Sequence, residues 1–299
     1  MRTAKFLSLI LLVLFQTQLI KPVQSTTNIS PPIAVLQRDK SKPRDSVTAV
    51  LSETTLQVPA YLWRHGCGPT ALGMIAGYYD GLGFDTLFPG SAYTQTAAVN
   101  QAIASGGVVG SPYPAGSEQH FEDYSMPIDD TTYSMLTDNY ITKKRTPHTD
   151  NSIADYMNTS RSTKNNRYGW SWSSDIGSAW LKYVRQQNIT YTPTYQLFYT
   201  YNATMTWAKL VSEIDAGRPM ICLVDSDASG VSDHFVAVIG YRTSPRQQYG
   251  SLDTWYKAVR WENFTYMASG VAWGIWGCWQ LQIQKQPSIY LPFVRKQGD

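Results

Sequence analysis

Cys67 stands between two glycines in His65-Gly66-Cys67-Gly68-Pro69-Thr70-Ala71-Leu72, directly ahead of an apolar run. A thiol at a helix N-terminus lies at the positive end of the helix dipole, which favours thiolate, the nucleophilic form. Such a nucleophile needs a base, and the chain has four histidines: His65, His120, His148 and His234. His234 opens the strand-like run His234-Phe235-Val236-Ala237-Val238-Ile239-Gly240-Tyr241, behind the small-residue loop Ser226 to Asp233. A ring at the mouth of a buried strand has the fixed placement that a thiolate–imidazolium pair requires. His65 shares the turn with Cys67, where two residues of separation rarely give the right geometry, and His120 and His148 fall in polar stretches. The chemistry on offer is nucleophilic attack on an acyl carbonyl through a thioester. The plainer reading is a buried structural thiol and a satisfied histidine at a strand edge.

Positioning these groups takes a helix behind Cys67 and a sheet behind His234. The spacing predicts a helix over Thr70 to Tyr79, with Pro69 suited to the first turn and Asp80-Gly81 at its end. Further helices are predicted over Thr94 to Ala104, Ser171 to Gln187 and Thr206 to Ala216, the last with Thr206 as N-cap and Gly217 as C-cap. Strands are predicted over Met220 to Val224, His234 to Tyr241, Trp255 to Trp261 and Trp279 to Ile283, and residues 108–170 as loops and short elements. Helices first and strands last is an α+β pattern with an antiparallel sheet in the C-terminal half. The Trp-rich segments Trp170 to Trp172 and Trp273 to Trp276 read as core, with the lining of a substrate groove as the alternative for one of them.

The N-terminus reads as a secretory signal over residues 1–25, with an uncleaved N-terminal anchor as the alternative: Arg2 and Lys5, the apolar run Phe6 to Phe15, and small residues at Val23-Gln24-Ser25. Residues 26–58, rich in Thr, Ser, Pro and charge, read as a linker or pro-segment, and 59–299 as the globular domain. No later segment is apolar enough to span a bilayer, so no stable membrane insertion is expected after cleavage. Net charge is +3 without a basic run, which argues against nucleic acid. Sequons at Asn28, Asn158, Asn188, Asn202 and Asn263 fit either a secreted glycoprotein or chance in a Thr-rich chain. If Cys67 stays free, Cys222 and Cys278 remain, both in strand-like runs; a disulfide and two buried thiols are both open. The Cys and His spacings match no zinc pattern, and Asp123, Asp129 and Asp130 lack the spacing of a calcium loop. No metal or cofactor is expected.

Three blocks, Gly66-Cys67-Gly68-Pro69-Thr70-Ala71, Gly217-Arg218-Pro219 and His234 to Tyr241, occur in an order that resembles the papain-like cysteine peptidases. Among these the chain looks most like the branch of bacteriocin-processing peptidase domains, over about residues 58–285. The resemblance implies a papain-like α+β fold, its N-terminal helical half carrying the nucleophile helix packed on a C-terminal antiparallel sheet. It implies Cys67 as nucleophile, His234 as general base and acid, and an Asn or Asp on the next strand to orient the ring. Asn263 is favoured for that role, with Glu262 and Asp253 as alternatives; a catalytic Asn263 could not also carry a glycan. The chain departs from the family pattern where an oxyanion-hole Gln normally stands about six residues before the cysteine. That position is Tyr61, and Gln57 is ten residues back. Losing one such donor costs on the order of a hundred- to a thousandfold in rate. The Cys67 N–H, with His65, Arg64 or the Trp63 indole, could substitute. The expectation is a secreted cysteine hydrolase acting on a peptide or protein, against a non-catalytic binding module of the same fold or an acyltransferase using the same pair.

Overall fold

The computed structural model describes residues 53–104, 150–161, 164, 166 and 169–286. The expected signal peptide, most of the linker, His120, His148 and the acidic patch at Asp123, Asp129 and Asp130 lie outside them. Among the described residues no helix is long and apolar enough to cross a membrane.

Seven strands form one sheet: β1 (Glu53–Thr55), β2 (Tyr191–Tyr199), β3 (Met220–Asp225), β4 (His234–Arg242), β5 (Gln248–Leu252), β6 (Arg260–Asn263) and β7 (Gly274–Lys285). Their order is β2-β7-β3-β4-β5-β6, with β1 joined to the end of β4, and all these pairings are antiparallel. The helices are α1 (Cys67–Gly81), α2 (Ala97–Ile103), α3 (Ile153–Tyr156), α4 (Asp175–Gln187) and α5 (Trp207–Asp215). The class is α+β.

The unbroken apolar run of β4 follows from burial on both faces. Side chains alternate across a strand. Phe235, Ala237 and Ile239 therefore join Leu72, Ile75, Trp180 and Trp279 in one core beneath α1 and α4. Val236 and Val238 join Leu210, Ile214, Cys222 and Cys278 in a second core beneath α5. Gly240 is required where β1 crosses: a Cβ there would lie 2.5 Å from the Thr54 carbonyl. In the α5-side core Cys222 faces Cys278 across β3 and β7, and the two form a disulfide. Cys67 is the free thiol.

Four elements differ from the sequence reading, one of them β5, which was not expected as a strand. Part of the expected linker is sheet, since Glu53–Thr55 pairs with Arg242 to Gly240. Strand β2 went unread because Pro193 and polar residues break its apolar pattern; it is an edge strand, where proline is tolerated. The segment Trp255 to Trp261 is largely a turn between β5 and β6. The Asp253 carboxylate accepts hydrogen bonds from the Trp255 and Tyr256 N–H groups, 3.0 Å each, which bends the chain out of extended geometry.

Candidate active site

Cys67 is the first residue of α1, and the turn before it is built by close packing. Gly66 has φ +136°, and a Cβ there would sit 2.8 Å from the Gly169 carbonyl. At Gly68 a Cβ would sit 2.7 Å from Met157 Cε and 3.3 Å from Ser171 Oγ. The glycines thus let Met157, Thr159, Gly169 and Ser171 press onto the turn that carries Cys67. Thr70 ties the turn from inside: Oγ1 donates to the Gly66 carbonyl at 2.7 Å and accepts from the Arg64 N–H at 2.8 Å.

α1 lies against β4, so Cys67 arrives at the start of that strand. The Phe235 N–H donates to Cys67 Sγ at 3.5 Å, one residue from His234. The first-turn N–H groups of Cys67 and Gly68 also favour the ionised sulfur. His234 Nε2 is 2.7 Å from the Asp253 carbonyl oxygen. A carbonyl only accepts, so Nε2 carries the proton and Nδ1 is the lone-pair nitrogen. Nδ1 has no hydrogen-bond partner among the described residues. The ring stacks on Trp255, 4.1 Å between centroids at 27°, and meets Trp273 edge-on at 6.0 Å.

Both side chains are fully buried, and burial sets their charge. It pushes the Cys67 thiol up to about 12, with the Asp233 charge adding to the rise and the surrounding N–H groups only partly offsetting it. Burial likewise pushes the His234 imidazole down to about 4; the Asp253 carbonyl and charge oppose this, and Arg260 adds to it. The rise at Cys67 corresponds to about 4 kcal/mol. A helix terminus supplies at most about 2 kcal/mol. The dipole argument for a resting thiolate therefore fails in this closed site, and the pair rests as neutral thiol and neutral imidazole.

The third residue is where the sequence reading needs correcting. Register pairs Asn263 with Gln248 and Gln248 with Arg242, at the far end of β4 from His234. Eight residues of strand separate Arg242 from His234, roughly 26 Å. Asn263 is exposed there, on β6 rather than on β5, the strand that follows His234. Glu262 lies one residue closer, 3.5 Å from Arg260. Asp253 is the residue brought to His234, through its backbone carbonyl. Its carboxylate turns the other way, onto the Trp255 and Tyr256 N–H groups and, at 2.8 Å, onto Arg260 Nε.

Tyr61 does not occupy the cleft. It is buried against Gly77, with its hydroxyl donating to the Ala92 carbonyl. Gly77 is ten residues along α1, about 15 Å from Cys67. Trp63 is closer: its N–H donates to the Thr254 carbonyl at 2.6 Å, beside the Asp253 turn. His65 is buried with φ +54°. Trp255 and Arg260 around His234 were not singled out from sequence; Trp273 stood in a tryptophan cluster read as core first and as a groove lining second.

No curated protein and no solved structure gives a match. The model of the Peptidase C39-like family matches residues 55–279, a span that runs from the end of β1 into β7 and contains Cys67, His234 and Asp253. The chain belongs to the Peptidase C39-like family.

Proposed function

We propose that the chain is a secreted cysteine peptidase of papain-like type, with Cys67 as nucleophile, His234 as base and acid, and Asp253 as the residue that orients the ring. The observation that carries this is the meeting of Cys67 Sγ with the Phe235 N–H, next to a histidine whose Nε2 is locked and whose Nδ1 lone pair is unengaged. In the reaction, Nδ1 takes the thiol proton as Sγ attacks the scissile carbonyl of a peptide or protein substrate. The backbone N–H groups at the start of α1 face the developing oxyanion. The tetrahedral intermediate collapses to a thioester as Nδ1 returns the proton to the leaving amine. Water, deprotonated by the same nitrogen, then hydrolyses the thioester. The N-terminal pattern and the Cys222–Cys278 disulfide both support an oxidising, extracytoplasmic setting.

Complete burial of Cys67 and His234 favours a second reading, a non-catalytic module of the same fold. Labelling with iodoacetamide and with a peptidyl epoxide at pH 5.5 separates the two. With Cys67 resting as a buried neutral thiol, the peptidase reading expects the peptidyl epoxide, which presents a substrate-like group, to label Cys67 in preference to iodoacetamide when each rate is referred to a free thiol, and His234→Ala to abolish that preference. Equal relative rates with the two reagents, unchanged in His234→Ala, leave only the module.

A further inference from the structure

His234 is held by two backbone turns that are themselves strained. Thr254, between the Asp253 carbonyl and the stacked Trp255, has φ +66°; Trp273, edge-on to the ring, has φ +63°. A β-branched and a bulky aromatic residue are both costly in the left-handed region, about 1–3 kcal/mol each, and persist only where the surroundings over-determine them. Trp273 is fixed by its N–H donating to the Asp225 carbonyl and by its carbonyl accepting from the Tyr249 hydroxyl, 2.8 Å. One side chain joins the two turns. Arg260, the first residue of β6, donates from Nε to Asp253 Oδ2 at 2.8 Å, and its guanidinium carbon lies 4.4 Å from the centre of the Trp273 ring.

We propose that Arg260 is a positioning residue for His234: by clamping the Asp253 carboxylate and covering Trp273 it turns the Asp253 carbonyl onto Nε2 and leaves Nδ1 as the base. The inference rests on the peptidase reading above. The clamp uses the features in which arginine differs from lysine. A planar guanidinium can direct Nε at a carboxylate while its face stacks on an indole; an ammonium cannot do both. With the carboxylate taken up by Arg260 and two backbone N–H groups, only the carbonyl is free to meet the ring. The charged groups acting on His234 are Asp253 and Arg260 from the β5–β6 side; Asp233 precedes it and acts on Cys67. The Arg260 charge opposes protonation of the ring, in the same sense as burial.

The test is NMR of the full chain with 15N-labelled histidine, together with Cys67 alkylation rates, for wild type, Arg260→Gln and Arg260→Lys. In Arg260→Gln the His234 ring titrates about one pH unit higher, the effect of one charge roughly 10 Å away at an effective dielectric near 20. Its Nδ1–H tautomer also becomes populated, and alkylation slows tenfold or more. Arg260→Lys, which keeps the charge and is the milder change for folding, holds the titration near wild type but still admits the Nδ1–H tautomer and slows alkylation. Wild-type tautomer and alkylation rate in either variant overturn the proposal. That failure is distinct from failure of the peptidase reading, in which Cys67 of the wild type already shows no preference for the peptidyl epoxide over iodoacetamide.

Discussion

At the level of single residues, the start of β4 carries two groups whose titrations oppose each other. His234 falls to about 4 on burial, so the unfolded chain binds its proton first and stability is lost as pH drops from 6.5 toward 4. Burial raises Asp233 to about 6, above its ordinary carboxylate value, although the Ser226 N–H and hydroxyl favour its charged form. Here the folded chain binds the proton first, and stability is regained as pH drops from 6 toward 4. Each effect is about 3 kcal/mol, so the two nearly cancel in the wild type. Asp233→Asn removes the gain, and its urea-denaturation free energy should fall by about 3 kcal/mol between pH 6.5 and 4. His234→Gln should show the opposite slope. Identical pH profiles for both variants would be incompatible with this pairing. The glycines flanking Cys67 divide in a similar way. Gly66→Ala meets both positive φ and a backbone oxygen at 2.8 Å, whereas the closest atom at Gly68→Ala is the mobile end of Met157. A chemical melt should show Gly66→Ala losing about 2–3 kcal/mol or more and Gly68→Ala distinctly less.

Among the elements, those that carry the chemistry were the most legible. α1 and β4 have strong local signals: a proline in the first turn, a continuous buried run, and a boundary residue that is itself the candidate base. The structure begins α1 three residues earlier, so Cys67 is inside it, and begins β4 at His234 as read. What the sequence could not show is what depends on partners distant in the chain. Strand β5, Gln248 to Leu252, is polar and glycine-containing, and becomes a strand because β4 and β6 flank it. Without β5 the segment after it was read as the strand that follows His234, which displaced the orienting residue from Asp253 to Asn263. The choice of a carbonyl over a carboxylate on His234 was equally hidden, because it is made by Arg260 seven residues downstream. The pairing of Cys222 with Cys278 depends on β3 lying beside β7, a fact of topology. The disulfide closes a 56-residue separation, and in the chain-entropy picture this is worth about 4 kcal/mol. The double variant Cys222→Ala/Cys278→Ala should lower the unfolding free energy by that order, measured by urea titration, without changing the His234 tautomer. A wild-type midpoint would show that the bond contributes nothing.

For the whole molecule, one sheet has cores on both faces, and the start of β4 meets both: the Phe235 N–H reaches Cys67 on the α1 side, while the His234 ring packs on Trp255 and Trp273, which belong to the α5-side core. There the site is dry. Dryness stabilises neutral partners and strengthens any charge pair that forms once a substrate carbonyl is present. It also makes opening a separate step. Cys67 labelling should therefore level off with rising reagent concentration, at the rate with which the covering chain moves aside, while labelling of a urea-unfolded control rises linearly. A wild-type rate that stays linear to the highest concentrations, at full free-thiol speed, would mean the site stands open in solution.

The short β1 strand has a consequence for how much of the N-terminus the protein can shed. From Thr55, paired with Gly240, the chain runs back alongside β4: the Leu56 N–H meets Ile239, the Trp63 N–H meets Thr254, and the path ends with Cys67 beside Phe235. The residues before the cysteine act as a tether pinned at both ends of the strand that carries the base. Trimming up to residue 52 leaves every pin in place. A chain beginning at residue 59 would keep both Cys67 and His234, yet release the anchored end of the tether that brings the sulfur to β4.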